Sequence, residues 1–121
     1  IEAIDNEKKH LCNALGCKYM SVKEWVEKEY LNCKTGSLLE ALNMAEAYKK
    51  VPAPRTLDHR YIYDDIKTGL VPLYLTGKIF GLDMVKTKTF IEFTSQLLNW
   101  DFISNGRQID KEELIKWNLY R

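Results

Sequence analysis

Three short boxes fix how this chain can fold. Ser21-Val22-Lys23-Glu24, Ser37-Leu38-Leu39-Glu40 and Asp110-Lys111-Glu112-Glu113 each begin with a side chain that can accept from the backbone N–H three residues on. Each ends on a glutamate able to reach back to the start, the reciprocal pairing that opens a helix. A chain carrying such starts along its length, with no run of alternating β-branched residues between them, has to bury its apolar surface by packing helices. The sequence therefore predicts an all-α fold.

Helical spacing places about six helices. Residues Ile1 to Leu15 carry Ile4, Leu11, Cys12 and Leu15 and stop at Gly16, a residue suited to a left-handed C-cap. A second helix follows Ser21 to about Leu31, with Val22, Trp25, Val26 and Tyr30 on one face. The third stacks Leu38, Leu42, Ala45 and Tyr48 and ends at Val51-Pro52-Ala53-Pro54, where two prolines forbid continuation. Asp58 is placed to cap a short helix through Lys67, broken at Thr68-Gly69; Pro72 then falls in the first turn of a buried helix from Leu70 to Phe80, closed by Gly81. Asp83 is expected to cap a helix to about Leu98 that turns Phe90, Phe93, Leu97 and Leu98 inward. After Asn105-Gly106, the last helix presents Leu114 and Trp117. At 121 residues the chain is expected to form a single domain around one core, with N-terminal helices over 1–50 and a second region over 51–121.

Eighteen basic and seventeen acidic residues leave a formal charge of +1 with no basic stripe, which argues against a nucleic-acid partner. No apolar run is long enough to span a bilayer, and the first residues lack the pattern of a signal peptide, so no membrane partner is expected and the cytoplasm is the expected compartment. Cys12, Cys17 and Cys33 are an odd number with no C-x-x-C pair, and there are only two histidines, so neither a disulfide framework nor a four-ligand zinc site is easily built; reduced, mostly buried thiols are expected. The chain opens on Ile within a helical pattern, which suggests a fragment of something longer.

Chemistry concentrates in the segment from Asp58 to Pro72, Asp-His-Arg-Tyr-Ile-Tyr-Asp-Asp-Ile-Lys-Thr-Gly-Leu-Val-Pro. Arg60 is a planar donor suited to a carboxylate, and Asp65 an acceptor that could orient an imidazole. Five residues apart, they sit about 140° from one another on a helix. The bland alternative pairs Arg60 with Asp64 at i,i+4, a contact worth a few tenths of a kcal/mol. On the residues alone the structural reading of Arg60 and Asp65 is favoured. Tyr61 and Tyr63 could offer hydroxyls to a ligand or be core residues with a polar tip. His59 reads as a loop or cap residue and His10 as solvated surface, while packing accounts for Trp25, Trp100 and Trp117.

The same segment resembles the signature of the helical domain of the octopine/nopaline (opine) dehydrogenase family: Arg-Tyr, two residues, Glu/Asp-Asp, three residues, Gly-Leu-Val-Pro. Every position is filled, from Arg60-Tyr61 through Asp64-Asp65 to Gly69-Leu70-Val71-Pro72. The resemblance runs from about Val51 to Leu119, taking in Gly81-Leu82, Asp101 and Gly106-Arg107, while residues 1–50 match only as helical filler; Met84-Val85 departs from the Thr-Pro often found in the family. It implies NAD- or NADP-dependent reductive condensation of an amino acid with a 2-oxo acid in an intact enzyme whose helical domain closes over an N-terminal Rossmann domain. It further implies catalytic roles for Arg60, which would also hold a substrate carboxylate, and for Asp65; Tyr61 and Tyr63, close to Arg60 in the segment, are the remaining substrate-binding candidates.

No G-x-G-x-x-G is present and neither histidine stands where the family's catalytic one does, so the chain alone is expected to bind no cofactor and to be inactive. Arg60 and Asp65 are expected to face one concave surface. If missing residues normally cover the faces around Ile4, Leu11, Trp25 and Leu70, the isolated chain would form a homodimer. The alternatives are a non-catalytic helical interaction or regulatory module, and the helical domain of another two-domain enzyme acting on hydroxy or sugar acids.

Overall fold

A computed structural model describes residues 1–31 and 33–120. Among the described residues all regular structure is helical. The α-segments are α1 (Glu2–Leu15), α2 (Val22–Glu29), α3 (Leu38–Met44), α4 (Glu46–Lys49), α5 (Arg60–Asp65), α6 (Val71–Ile79), α7 (Val85–Leu98), α8 (Phe102–Asn105) and α9 (Lys111–Lys116). A π turn, Ile66–Leu70, joins α5 to α6.

Local signals set the start of α2 and α3. Both serine boxes close reciprocally: the Ser21 and Ser37 hydroxyls accept from the Glu24 and Glu40 amides at 3.1 and 3.2 Å, and each glutamate accepts from its serine's N–H. Asp110 caps α9 by accepting from the Glu113 amide at 2.9 Å. The third helix is shorter than its periodicity predicts. Ala45 turns extended and is fully buried, so α3 ends there and α4 is a separate turn. Packing overrides helix propensity at this alanine.

The expected single core divides into two clusters. Val26, Cys33, Leu38, Ala41 and Ala45 pack between α2 and α3, while Ile66, Val71, Ile91 and Phe102 join the π turn, α6, α7 and α8. The three tryptophans stay about half exposed, each with one flank covered: Trp25 lies edge-on to Tyr30, Trp100 to Tyr63, and Trp117 lies under the Arg107 guanidinium.

Helix α1 ties the regions together through two carboxylates. Asp5 accepts from the Tyr19 hydroxyl at 2.8 Å and from the Val22 amide, at the start of α2, at 2.9 Å. The Lys8 ammonium stands 2.6 Å from the other oxygen of Asp5. Burial pushes the Asp5 carboxyl up, but Lys8 and the two hydrogen bonds more than reverse this and hold it below its ordinary value. Burial and the same contact push the Tyr19 phenol up to about 12.

Glu7 does for α7 what Asp83 was expected to do. Met84, not Asp83, is the N-cap residue, and it offers no side-chain acceptor. Glu7 Oε1 instead accepts from the Lys86 amide at 2.7 Å, and Oε2 from the Thr87 amide at 2.9 Å and hydroxyl at 2.7 Å. A carboxylate from another helix thus occupies the positive end of α7.

The break expected at Thr68-Gly69 is a widening rather than an interruption, and the helical path runs on from Arg60 to Ile79. Val71 N–H reaches back five residues to the Ile66 carbonyl. Pro72 has no N–H, so the Lys67 carbonyl loses its π-register donor. The Arg107 amide supplies one at 2.8 Å, docking the end of α8 on the π turn. Gly106 makes that approach possible: a Cβ there would lie 2.8 Å from the Phe102 carbonyl and from the Val71 side chain. Its φ of −81° suits any residue, so the requirement is space, not conformation.

Candidate functional site

The Arg-Tyr…Gly-Leu-Val-Pro segment spans α5, the π turn and the start of α6. His59, not Asp58, caps it: Nδ1 accepts from the Tyr61 amide at 3.2 Å. The imidazole also lies edge-on to the Tyr61 ring, 4.5 Å between centroids.

One face of this path borders a groove of about 620 Å³ shared with α1 and α7. Tyr61, Ile62, Asp65, Leu70 and Leu73 contribute from the motif side, and Phe90, Phe93 and Leu97 from α7. This corrects the face assigned to α7. Its buried residues are Thr87, Ile91 and Thr94, whereas Phe90, Phe93 and Leu97 are about half exposed or more. The threonines can be buried because their hydroxyls are satisfied, Thr87 donating to Glu7 and Thr94 to the Phe90 carbonyl at 2.8 Å. A pattern read by hydrophobicity puts aromatic residues inside and threonines outside; the bonds available at this interface reverse the order.

Asp65 lines this mostly apolar groove as a solvent-exposed residue, and among the described residues its carboxylate has no hydrogen bond or ion pair. Asp5 and Lys8, the other charged residues at the groove, are engaged with each other.

Arg60 does not line the groove. Its Nε is 3.4 Å from Asp64, the exposed i,i+4 pair of the structural reading, and it projects largely into solvent. Tyr61 reaches the groove half exposed, whereas Tyr63 packs on Phe102 and Trp100 beside the central core. The structure brings Asp65 and Tyr61 to one surface and leaves Arg60 and Tyr63 outside it. Among the described residues, no cluster of histidine, cysteine and carboxylate side chains is grouped to hold a metal, and no helix is long and apolar enough to cross a membrane.

Asp5 and Glu7 were missed as organising residues. The i,i+3 spacing of Asp5 and Lys8 was the only local sign; nothing in the sequence near Glu7 points to a helix end 79 residues away.

Comparison with known proteins extends the likeness beyond the motif. The family described as NAD/NADP octopine/nopaline dehydrogenase, alpha-helical domain, matches residues 1–98, so the N-terminal helices belong to the likeness and are not filler. An opine dehydrogenase of Arthrobacter sp. (strain 1C) is 29% identical over 110 residues, 91% of this chain and 30% of the relative. The protein ocs of Agrobacterium tumefaciens (strain Ach5) is 27% identical over 94% of this chain and 32% of its own length. Vitopine synthase of Allorhizobium ampelinum is 26% identical over 100% of this chain and 33% of its own length. The chain therefore spans about a third of the length of the curated relatives it matches. With the family match over most of its residues and the motif carried on one continuous helical path, the chain belongs to the octopine/nopaline dehydrogenase family, as its alpha-helical domain.

Proposed function

We propose that this chain is the substrate-side part of an NAD- or NADP-dependent opine-type dehydrogenase, which joins an amino acid to a 2-oxo acid by reductive condensation. Family membership supports the reading, and the observation that carries it is the exposed carboxylate of Asp65, without a partner among the described residues, beside a mostly apolar groove. An acceptor so placed is suited to hold an imidazole supplied by another part of the protein, fixing its tautomer and favouring its charged form. Arg60 would take a substrate carboxylate after leaving its weak contact with Asp64, and the Tyr61 hydroxyl would add a hydrogen bond. Tyr63, also a substrate-binding candidate in the sequence, would act through packing beneath this surface.

The described residues do not fit a dinucleotide: they contain no strand-to-helix turn rich in glycine on which a pyrophosphate could rest. We therefore assign the cofactor to an N-terminal Rossmann domain of the same protein, treat residues 1–121 as one helical unit in the cytoplasm, and expect this unit alone to be catalytically silent. Alone it would also self-associate through the apolar groove, where Ile4 and Leu70 lie, though not through Leu11, which is buried, or Trp25, which stands outside the groove; sedimentation at micromolar concentration would register the dimer. The same groove favours a second reading, a helical interaction module without catalysis.

Steady-state kinetics of the intact protein with amino acids, 2-oxo acids and NADH or NADPH separate the two. Asp65→Asn should lower kcat roughly 10²-fold with KM little changed, and Arg60→Ala should raise the KM for the oxo acid. Parental kinetics in both variants would remove the assigned roles, and no turnover with any such pair would favour the module.

A further inference from the structure

The thiols, expected to be mostly buried, are so only at Cys33; Cys12 is partly exposed and Cys17 exposed. Those two residues flank the left-handed C-cap of α1 at Gly16, and the Cys17 N–H donates to the Cys12 carbonyl at 3.0 Å. This is the longer bond of a Schellman motif, in which the side chains at its two ends commonly touch. Covalent bond lengths on either side of that hydrogen bond cap the Cα separation at about 7 Å. The bends at the amide and carbonyl bring it lower, into the range a disulfide spans.

We propose that Cys12 and Cys17 are a redox-modifiable pair that closes into an intrachain disulfide across the end of α1 on reaction with a low-molecular-weight disulfide such as glutathione disulfide. The exposed Cys17 attacks first. Its thiolate displaces one glutathione thiol and leaves Cys17 in a mixed disulfide. The Cys12 sulfur then attacks Cys17 Sγ and releases the second glutathione. Two protein thiols are oxidised, one glutathione disulfide is reduced to two thiols, and both cysteine protons leave with the released thiols. The order of attack follows from exposure. Burial, and then the neighbouring Cys17 thiol, push the Cys12 thiol above its ordinary value, with Asp5 adding to the shift and Lys8 opposing it. Cys12 is therefore the slower nucleophile and the resolving one.

Closure would staple the connection between α1 and α2 to the end of α1. That connection carries Tyr19, which donates to Asp5, and leads to Val22, whose amide donates to the same carboxylate. The bond would thus restrain the segment on which α1 holds the start of α2.

Peptide mapping of the intact, folded protein after incubation with glutathione disulfide tests this. Cleavage after Lys9 and Lys18 places both cysteines on one peptide, residues 10–18. The expected product is that peptide lighter by two hydrogens and restored by dithiothreitol, with Cys33 still open to alkylation after unfolding. Cys12→Ser should stop at a glutathione adduct on Cys17, and Cys17→Ser should leave Cys12 as the free thiol. A parent protein that accumulates the adduct on Cys17 while Cys12 remains alkylatable, or that links Cys17 between two chains, would overturn the proposal.

Discussion

The α2–α3 region and the α6–α7 region are both built from packed helices, yet they obtain their helix starts by opposite routes. Helices α2 and α3 are opened by boxes closed within four residues and pack around small side chains, Ala41, Ala45, Cys33 and Val26. Helix α7 is opened by Glu7, which reaches it across 79 residues, and packs against a core built on Phe102, Ile91 and Val71. Local capping makes a helix start that can form early and alone. A cap supplied in trans forms only when the tertiary structure does, so it couples the helix to the whole fold.

The sharpest way to break this contrast is to remove the core on which the second region depends. Phe102→Ala should cost about 3–5 kcal/mol, read as a lower denaturant midpoint at unchanged slope. Native-state hydrogen exchange should then show α6 and α7 losing most of their protection while α2 retains its own. Equal loss in both regions would mean that the two clusters form one cooperative unit.

Next comes the cap in trans. Glu7→Gln should cost about 1–2 kcal/mol, more than Glu40→Gln in its exposed local box. Burial pushes the Glu7 carboxyl up, but the Thr87 hydroxyl and the Lys86 and Thr87 amides outweigh it, so its folded value lies below the ordinary 4.5. Its contribution is therefore complete above about pH 4.5 and is lost as pH falls through the lower folded value. Stability of the parent between neutral pH and pH 3, set against the variant, should show a gap that closes on acidification; a constant gap would assign the cost to shape rather than charge.

The smallest effect is expected at the motif. Arg60→Ala breaks only an exposed i,i+4 pair, so stability should change by a few tenths of a kcal/mol even where substrate binding suffers. A larger loss on thermal melting would recast Arg60 as structural.

The sequence displays what depends on near neighbours. The serine boxes, the Gly16 and Gly81 stops and the all-helical class follow from residues within a turn of one another. The motif's position on a helix was legible too, and the weak Arg60–Asp64 pair could be read from spacing. What could not be read depends on distant groups. Asp83 looked like a cap because Glu7 is invisible from position 83, and Phe90 and Phe93 looked internal because nothing nearby says that Thr87 finds a carboxylate. Ala45 looked mid-helix because its burial depends on Val26 and Cys33. The division of the motif, with Asp65 and Tyr61 at the groove and Arg60 outside, likewise depends on where α7 lies.

The π turn between α5 and α6 acts as a phase shifter. An α-helix advances about 100° per residue, so one residue more than an α-turn holds rotates everything upstream by that amount relative to everything downstream. Asp65 and Tyr61 stand before the shift, and Leu73 after it, yet all three look into the same groove. Deleting a single residue within 66–70 would leave the capping signals intact and turn Asp65 and Tyr61 by about a quarter of a revolution away from their present bearing. The spacing between Asp65 and Gly69-Leu70-Val71-Pro72 is thus an angular setting, and relatives that keep the residues but change that count would aim the same side chains at different targets.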